Sequence, residues 1–181
     1  MLRRVNKAFT KEDEADVPDL VPARAPLPDG TPNYVTARGL DKLKAELKDF
    51  EEARARLDTM AEGADRTRAL AHLGARRNAL DARLASAMLV DSANQPRDEV
   101  RFGARVSVRP ATGPLRTYKI VGVDEAEPTT GLVAFVAPLA RGLLGKGVGD
   151  LVKVRTPRGE DEFEIVRIDY DDPGADPVPN K

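Results

Sequence analysis

The chain has 181 residues, a formal net charge of −1, no cysteine, no tryptophan and a single histidine. Disulfide-stapled secreted folds, thiolate catalysis, Cys-based zinc sites and paired-histidine metal sites are thereby excluded, and near-neutral charge leaves any polyanion contact to local patches. No apolar run approaches the ~18 residues of a membrane span, and the basic stretch at Met1–Val17 has no apolar segment behind it, so a cytoplasmic protein with no membrane association is expected.

Residues 1–33 carry Pro18, Pro22, Pro26, Pro28, Gly30 and Pro32 without apolar periodicity. Such a segment reads as an extended, disordered arm, with Phe9, Arg3, Arg4 and Lys7 as contacts should it order on a partner.

Residues 34–95 read as an antiparallel coiled-coil hairpin. Thr36 is placed to cap a helix, and apolar residues then recur in three- and four-residue steps: Leu40, Leu43, Leu47, Phe50, position 54, Leu57 and Ala61. A second arm gives Leu70, Leu73, position 77, Leu80, Leu84 and Ala87. A period near 3.5 keeps one face toward a partner helix, and a bend near residue 65, beside Gly63, pairs Leu47 with Leu84, Phe50 with Leu80 and Leu57 with Leu73. Matched seams in one chain favour self-pairing and hence a monomer. Arg54 and Arg77 interrupt the seams in the same layer, each with an acid one turn on (Asp58, Asp81). Either their heads snorkel to these acids, or they form a polar layer that fixes register. His72, in an Arg-rich helical run, is expected on the solvated surface.

Charge divides unevenly along the hairpin. Thr36 to Glu62 holds six basic and seven acidic residues, whereas Arg66 to Val90 holds five arginines (Arg66, Arg68, Arg76, Arg77 and Arg83) against Asp81. The basic helix is either a solvated face balanced by the first arm, or a surface for RNA, DNA or an acidic wall.

Residues 96–170 read as a small β-rich domain. Val100, Phe102, Ala104, Val106 and Val108 alternate with polar residues and glycine as in a half-buried strand, and Thr117 to Val123 returns after a turn at Pro110 to Pro114. An acidic turn, Asp124 to Pro128, separates Ile120–Val123 from a run at Leu132–Val136. Pro138 then opens, and Gly145 closes, a short helix at 139–144 that lays Leu139, Leu143 and Leu144 on the sheet. Leu151–Thr156 and Glu162–Tyr170 flank a hairpin turn at Pro157-Arg158-Gly159, and a one-residue change of apolar phase predicts a β-bulge near Ile165. Residues 171–181 read as a disordered tail. The fold class is therefore α+β, a helical hairpin followed by a small β domain with one short helix.

Together with the stretch Ile120 to Lys146, five further groups stand in the order of a known family: Asn33-Tyr34-Val35-Thr36 with Gly39-Leu40, Val100-x-Phe102-Gly103-Ala104, Gly149-Asp150-x-Val152, Thr156-Pro157-x-Gly159-Glu160 and Ile165-x-x-Ile168-x-Tyr170. Over residues 33–170 the chain resembles the GreA/GreB transcript-cleavage factors, with an N-terminal arm similar to that of GreB-like members and a shortened hairpin similar to that of the Rnk-like branch. The resemblance implies an FKBP-like C-terminal domain that docks at the rim of the secondary channel of bacterial RNA polymerase. The docking residues it implies are Val136, Ala137, Pro138, Leu139 and Arg141. Where the family often has serine before this proline, preceded in GreB-like members by aspartate, the chain has Ala137 and Val136.

In cleavage-competent members an Asp and a Glu three residues apart at the hairpin tip help hold a magnesium ion in the polymerase active centre, chemistry that suits hard oxygen ligands. Here the tip offers Glu62 and Asp65, inverted in order and split by Gly63-Ala64, with Arg66 and Arg68 beside them. Each arm is about one heptad shorter, roughly 10 Å of reach at 1.5 Å per residue. The expectation is a polymerase-binding elongation regulator without efficient cleavage stimulation, with no catalytic residue, no cofactor or metal of its own, and no enzymatic role. A second reading makes it a cleavage-competent factor whose Glu62 and Asp65 share the polymerase's magnesium. A third makes it a nucleic-acid-binding module working through Arg76, Arg77 and Arg83. A prolyl isomerase needs an aromatic-lined pocket, which so few aromatics do not supply.

Overall fold

A computed structural model describes residues 27–156 and 159–170. The arm before residue 27, the tail after Tyr170 and the turn residues Pro157 and Arg158 lie outside them, as do the contacts expected of Phe9, Arg3, Arg4 and Lys7.

The chain enters through strand β1 (Asn33–Val35) and turns into helix α1 (Ala37–Asp58). Thr36 caps α1, its hydroxyl accepting the Gly39 N–H at 2.9 Å. Helix α2 (Ala64–Ala85) returns antiparallel, and strand β2 (Ala87–Leu89) pairs in parallel with β1, Asn33 opposite Ala87 and Val35 opposite Leu89. The arm therefore ends before Asn33, which is buried and donates to Arg83 O at 2.7 Å and Ser86 Oγ at 3.1 Å. The two three-residue strands and Asn33 close the base of the hairpin.

Between the helices Val35, Leu43, Phe50 and Leu80 are buried, flanked by Leu40, Leu47, Leu73, Leu84 and Ala87. Two details differ from expectation. The bend lies at residues 59–63, because Asp65 already belongs to the first turn of α2. Ala53, not Arg54, enters the layer beyond Phe50; the Arg54 side chain is 74% exposed and lies 3.8 Å from Asp58. From Phe50 to Leu57 either position lies near the stripe, and the small apolar residue goes in at no desolvation cost. Arg77 pairs with Asp81 at 3.0 Å, so no buried arginine layer exists.

The β domain is a five-stranded sheet in the order β5-β4-β3-β7-β6, made of β3 (Arg105–Pro110), β4 (Arg116–Val121), β5 (Leu132–Ala134), β6 (Leu151–Thr156) and β7 (Gly159–Asp169). All neighbours are antiparallel except β4 and β5. The strand expected from Val100 begins only at Arg105, since Gly103 turns the backbone to φ +88. Val100, Phe102 and Ala104 are buried all the same, so their alternation reports burial and not extension. The run at Leu132 stops at Ala134, where the Ala137 N–H bonds back at 2.8 Å. Helix α3 (Pro138–Leu143) ends one residue before the expected limit and presses Ala140 and Leu143 into the core with Val106, Val108, Ile120, Val152, Val154, Phe163 and Ile165. The register of β7 against β3 slips beside Ile165: Ser107 faces Arg167 and Val108 faces Ile165, leaving Val166 as the extra residue of a bulge.

Candidate functional site

Three surfaces carry the residues singled out by sequence. The first is the entry to α3. Val136 and Ala137 are half-buried, Pro138 is exposed, and Arg141, one turn on, is exposed on the same side. Opposite them Ala140 and Leu143 anchor the helix, and α3 lies so close to β6 that a Cβ on Gly142 would stand 3.0 Å from Val152 Cγ1. Ala137 occupies the N-cap with no side-chain hydrogen bond to the first turn, and Pro138 sits where its missing N–H costs nothing. Val136, Ala137, Pro138 and Arg141 thus gather at the accessible entry to the helix, while Leu139 packs partly against the core, and the alanine N-cap makes this entry more apolar than a serine would.

The second surface is the tip. Glu62 is 95% exposed and Asp65 also faces solvent. Each carboxylate is turned to an arginine: Asp65 accepts from Arg68 at 2.7 Å, and Glu62 lies 4.0 Å from Arg66, which bonds Asp58 across the bend at 3.2 Å. Both acids remain largely open to solvent at the tip, each with an arginine as its nearest ion-pair partner. Among the described residues no group of three or more His, Cys, Asp or Glu side chains is placed to hold a metal.

The third is the basic face of α2, and the structure divides it. Arg77 is tied to Asp81 and Arg76 is half-buried on the same helix. Arg83 cannot contact a partner: it is only 6% exposed, at the far end of the helix, with Nε 3.4 Å from Asp124 Oδ2. Its pairing needs an acid 41 positions downstream, which helical periodicity cannot reveal. His72 is exposed, as expected.

Sequence reasoning missed the junction where the hairpin meets the β domain. Glu125 is 3% exposed and its Oε2 accepts a hydrogen bond from the Thr36 hydroxyl. The rings of Tyr34, Phe102 and Phe135 meet with centroids 5.5 to 5.8 Å apart, and a Cβ on Gly122 would stand 2.6 Å from the Tyr34 carbonyl oxygen. The one available signal was an acidic pair, Asp124-Glu125, directly after a buried strand.

A capped helical hairpin joined to a five-stranded sheet with one short helix defines a two-part α+β class of protein. Comparison with known proteins gives that class its family. The family described as transcription elongation factor, GreA/GreB, C-terminal, matches residues 95–170. Transcription elongation factor GreA of Helicobacter hepaticus is 36% identical over 154 residues, covering 76% of this chain and 94% of its own length. GreA of Methylococcus capsulatus is 36% identical over 153 residues, covering 75% and 96%. A solved GreA/GreB factor from Nitrosomonas europaea is 20% identical, covers 76% of this chain and 98% of its own, and superposes with a TM-score of 0.38. The chain belongs to the GreA/GreB family of transcription elongation factors.

These relatives overturn the expectation of no enzymatic role. Proteins named GreA are usually described as stimulating the endonuclease activity of RNA polymerase, though not as catalysts themselves. No helix among the described residues is long and apolar enough to cross a membrane.

Proposed function

We propose that the chain binds bacterial RNA polymerase in the cytoplasm as a monomer, docks at the rim of the secondary channel through Val136, Ala137, Pro138, Leu139 and Arg141, and directs its hairpin into the channel. In this reading it regulates elongation while stimulating transcript cleavage only weakly, and it brings no metal of its own. The observation that carries the docking is the α3 ridge, apolar and exposed at Pro138 and braced from behind by Ala140 and Leu143.

Two observations support weak stimulation. At the tip Asp65 is paired with Arg68 at 2.7 Å, and Glu62, almost fully exposed, has Arg66 at 4.0 Å beside it. The match to the Helicobacter hepaticus factor runs over 154 positions, yet 76% of 181 residues is only about 138, leaving about 16 positions without a counterpart here. Two helical arms each a heptad short would account for nearly all of that deficit. A Mg²⁺–carboxylate bond of about 2.1 Å tolerates no such shortfall, and side-chain rotation cannot recover roughly 10 Å.

A nucleic-acid module acting through α2 is disfavoured by the engagement of Arg66, Arg68 and Arg77 with acids and by the burial of Arg83. The test is addition of the full chain to backtracked bacterial elongation complexes with Mg²⁺, beside GreA at equal occupancy. Cleavage at least ten-fold slower than with GreA is expected. Cleavage at the GreA rate, lost in Glu62→Ala/Asp65→Ala, would establish the cleavage-competent reading instead.

A further inference from the structure

We propose that Asp124 and Glu125 are positioning residues: the acidic turn after β4 holds both ends of the helical hairpin and sets the direction in which it points from the β domain.

Each carboxylate serves a different helix. Glu125 Oε2 accepts from the hydroxyl of Thr36, and the same hydroxyl accepts the Gly39 N–H at 2.9 Å, so the carboxylate reaches the first turn of α1 through its capping residue. Its negative charge lies at the helix end where the backbone dipole is positive. The approach is close enough that a Cβ on Gly39 would stand 2.8 Å from Glu125 Oε2. Asp124 takes the other helix: its Oδ2 lies 3.4 Å from Nε of Arg83 in the last turn of α2. The Arg83 carbonyl is in turn held by Asn33 at 2.7 Å, which ties the pair to β1.

Burial makes this a constraint and not a surface pairing. Arg83 and Glu125 are nearly inaccessible, and the second Glu125 oxygen, Oε1, is buried without a hydrogen-bond partner among the described residues. Buried charge adds little net stability, but leaving one without its partner is costly, so arrangements that strand it are disfavoured. The aromatic contact of Tyr34 with Phe102 and Phe135 adds apolar adhesion beside these polar ties. The leverage is large: α1 has 22 residues, about 33 Å, so a turn of about 10° at the base carries the tip about 6 Å.

The chain has no cysteine, so Ala61→Cys at the tip and Ala111→Cys in the turn after β3 are unique sites for spin labels, and the distance between them is read by double electron–electron resonance on the full chain. The parent should give one narrow distribution. Asp124→Ala/Glu125→Ala should broaden it or move its mean by at least about 5 Å, Thr36→Val should broaden it as well, and Thr36→Ser should restore the parent. An unchanged mean and width in the alanine double variant would overturn the assignment. Should that variant lose its circular dichroism, Thr36→Val decides alone, and an unchanged distribution there overturns it equally. A second arm, which rests on the polymerase reading, expects polymerase affinity within about two-fold of the parent while the effect on elongation falls at least five-fold. Loss of affinity in step with effect would deny the positioning role. A parent that never binds polymerase would sink the function and leave the distance result standing.

Discussion

Tyr170 fastens the end of β7 to the segment that leads into β3. Its hydroxyl donates to the Glu99 carbonyl at 2.7 Å and accepts the Arg101 N–H at 2.9 Å. Tyr170→Phe leaves both main-chain groups without that partner and should cost about 1–3 kcal/mol in chemical denaturation. Burial pushes the phenol pKa up, against the opposing pull of the Arg101 N–H. A raised folded-state pKa means the native state holds its proton more tightly, so the stabilisation is complete below the unfolded value and lost as pH rises beyond about 10. The stability gap between parent and Tyr170→Phe should therefore shrink in that range, and a gap that widens would contradict the assigned cause. Gly122 tests the junction by volume: Gly122→Ala drives a methyl against the Tyr34 carbonyl and should destabilise by about 1–3 kcal/mol, measured the same way.

At the scale of elements, the hairpin depends on few side chains. Phe50 is almost wholly buried between α1 and α2, and Phe50→Ala should remove about 3–5 kcal/mol and lower the helical signal first. Arg54→Leu/Arg77→Leu should change stability by no more than about 0.5 kcal/mol, because no buried arginine layer is relieved; a clear rise in melting temperature would mean that Arg54 spends its time inside. The seams, the Thr36 cap, the bulge at Val166 and the short helix at Pro138 were legible because each is written in local spacing. The strand expected from Val100 was overextended because alternation at Val100, Phe102 and Ala104 records burial, while Gly103 sets the backbone. The paired strands Asn33–Val35 and Ala87–Leu89 were not legible at all: three residues carry no period, and their partners lie across the whole hairpin.

For the whole molecule, the short helix at Pro138 could be read from sequence because its residues are contiguous, whereas the junction could not. Thr36 and Glu125 stand 89 positions apart, and Arg83 looks like any surface arginine until Asp124 is folded against it. Placing Arg83 on a contact surface was therefore the characteristic error of a helix read in isolation. In the proposed function the β domain docks and the hairpin reaches, held in its direction by the buried junction, and the proposal rests on polymerase binding. Equilibrium titration of the fluorescently labelled full chain with bacterial core RNA polymerase, followed by challenge with unlabelled GreA, tests that claim most directly. A single saturable site, emptied by GreA and weakened at least five-fold by Pro138→Asp, is the predicted result; no binding at any ionic strength, or binding that excess GreA leaves untouched, would contradict it.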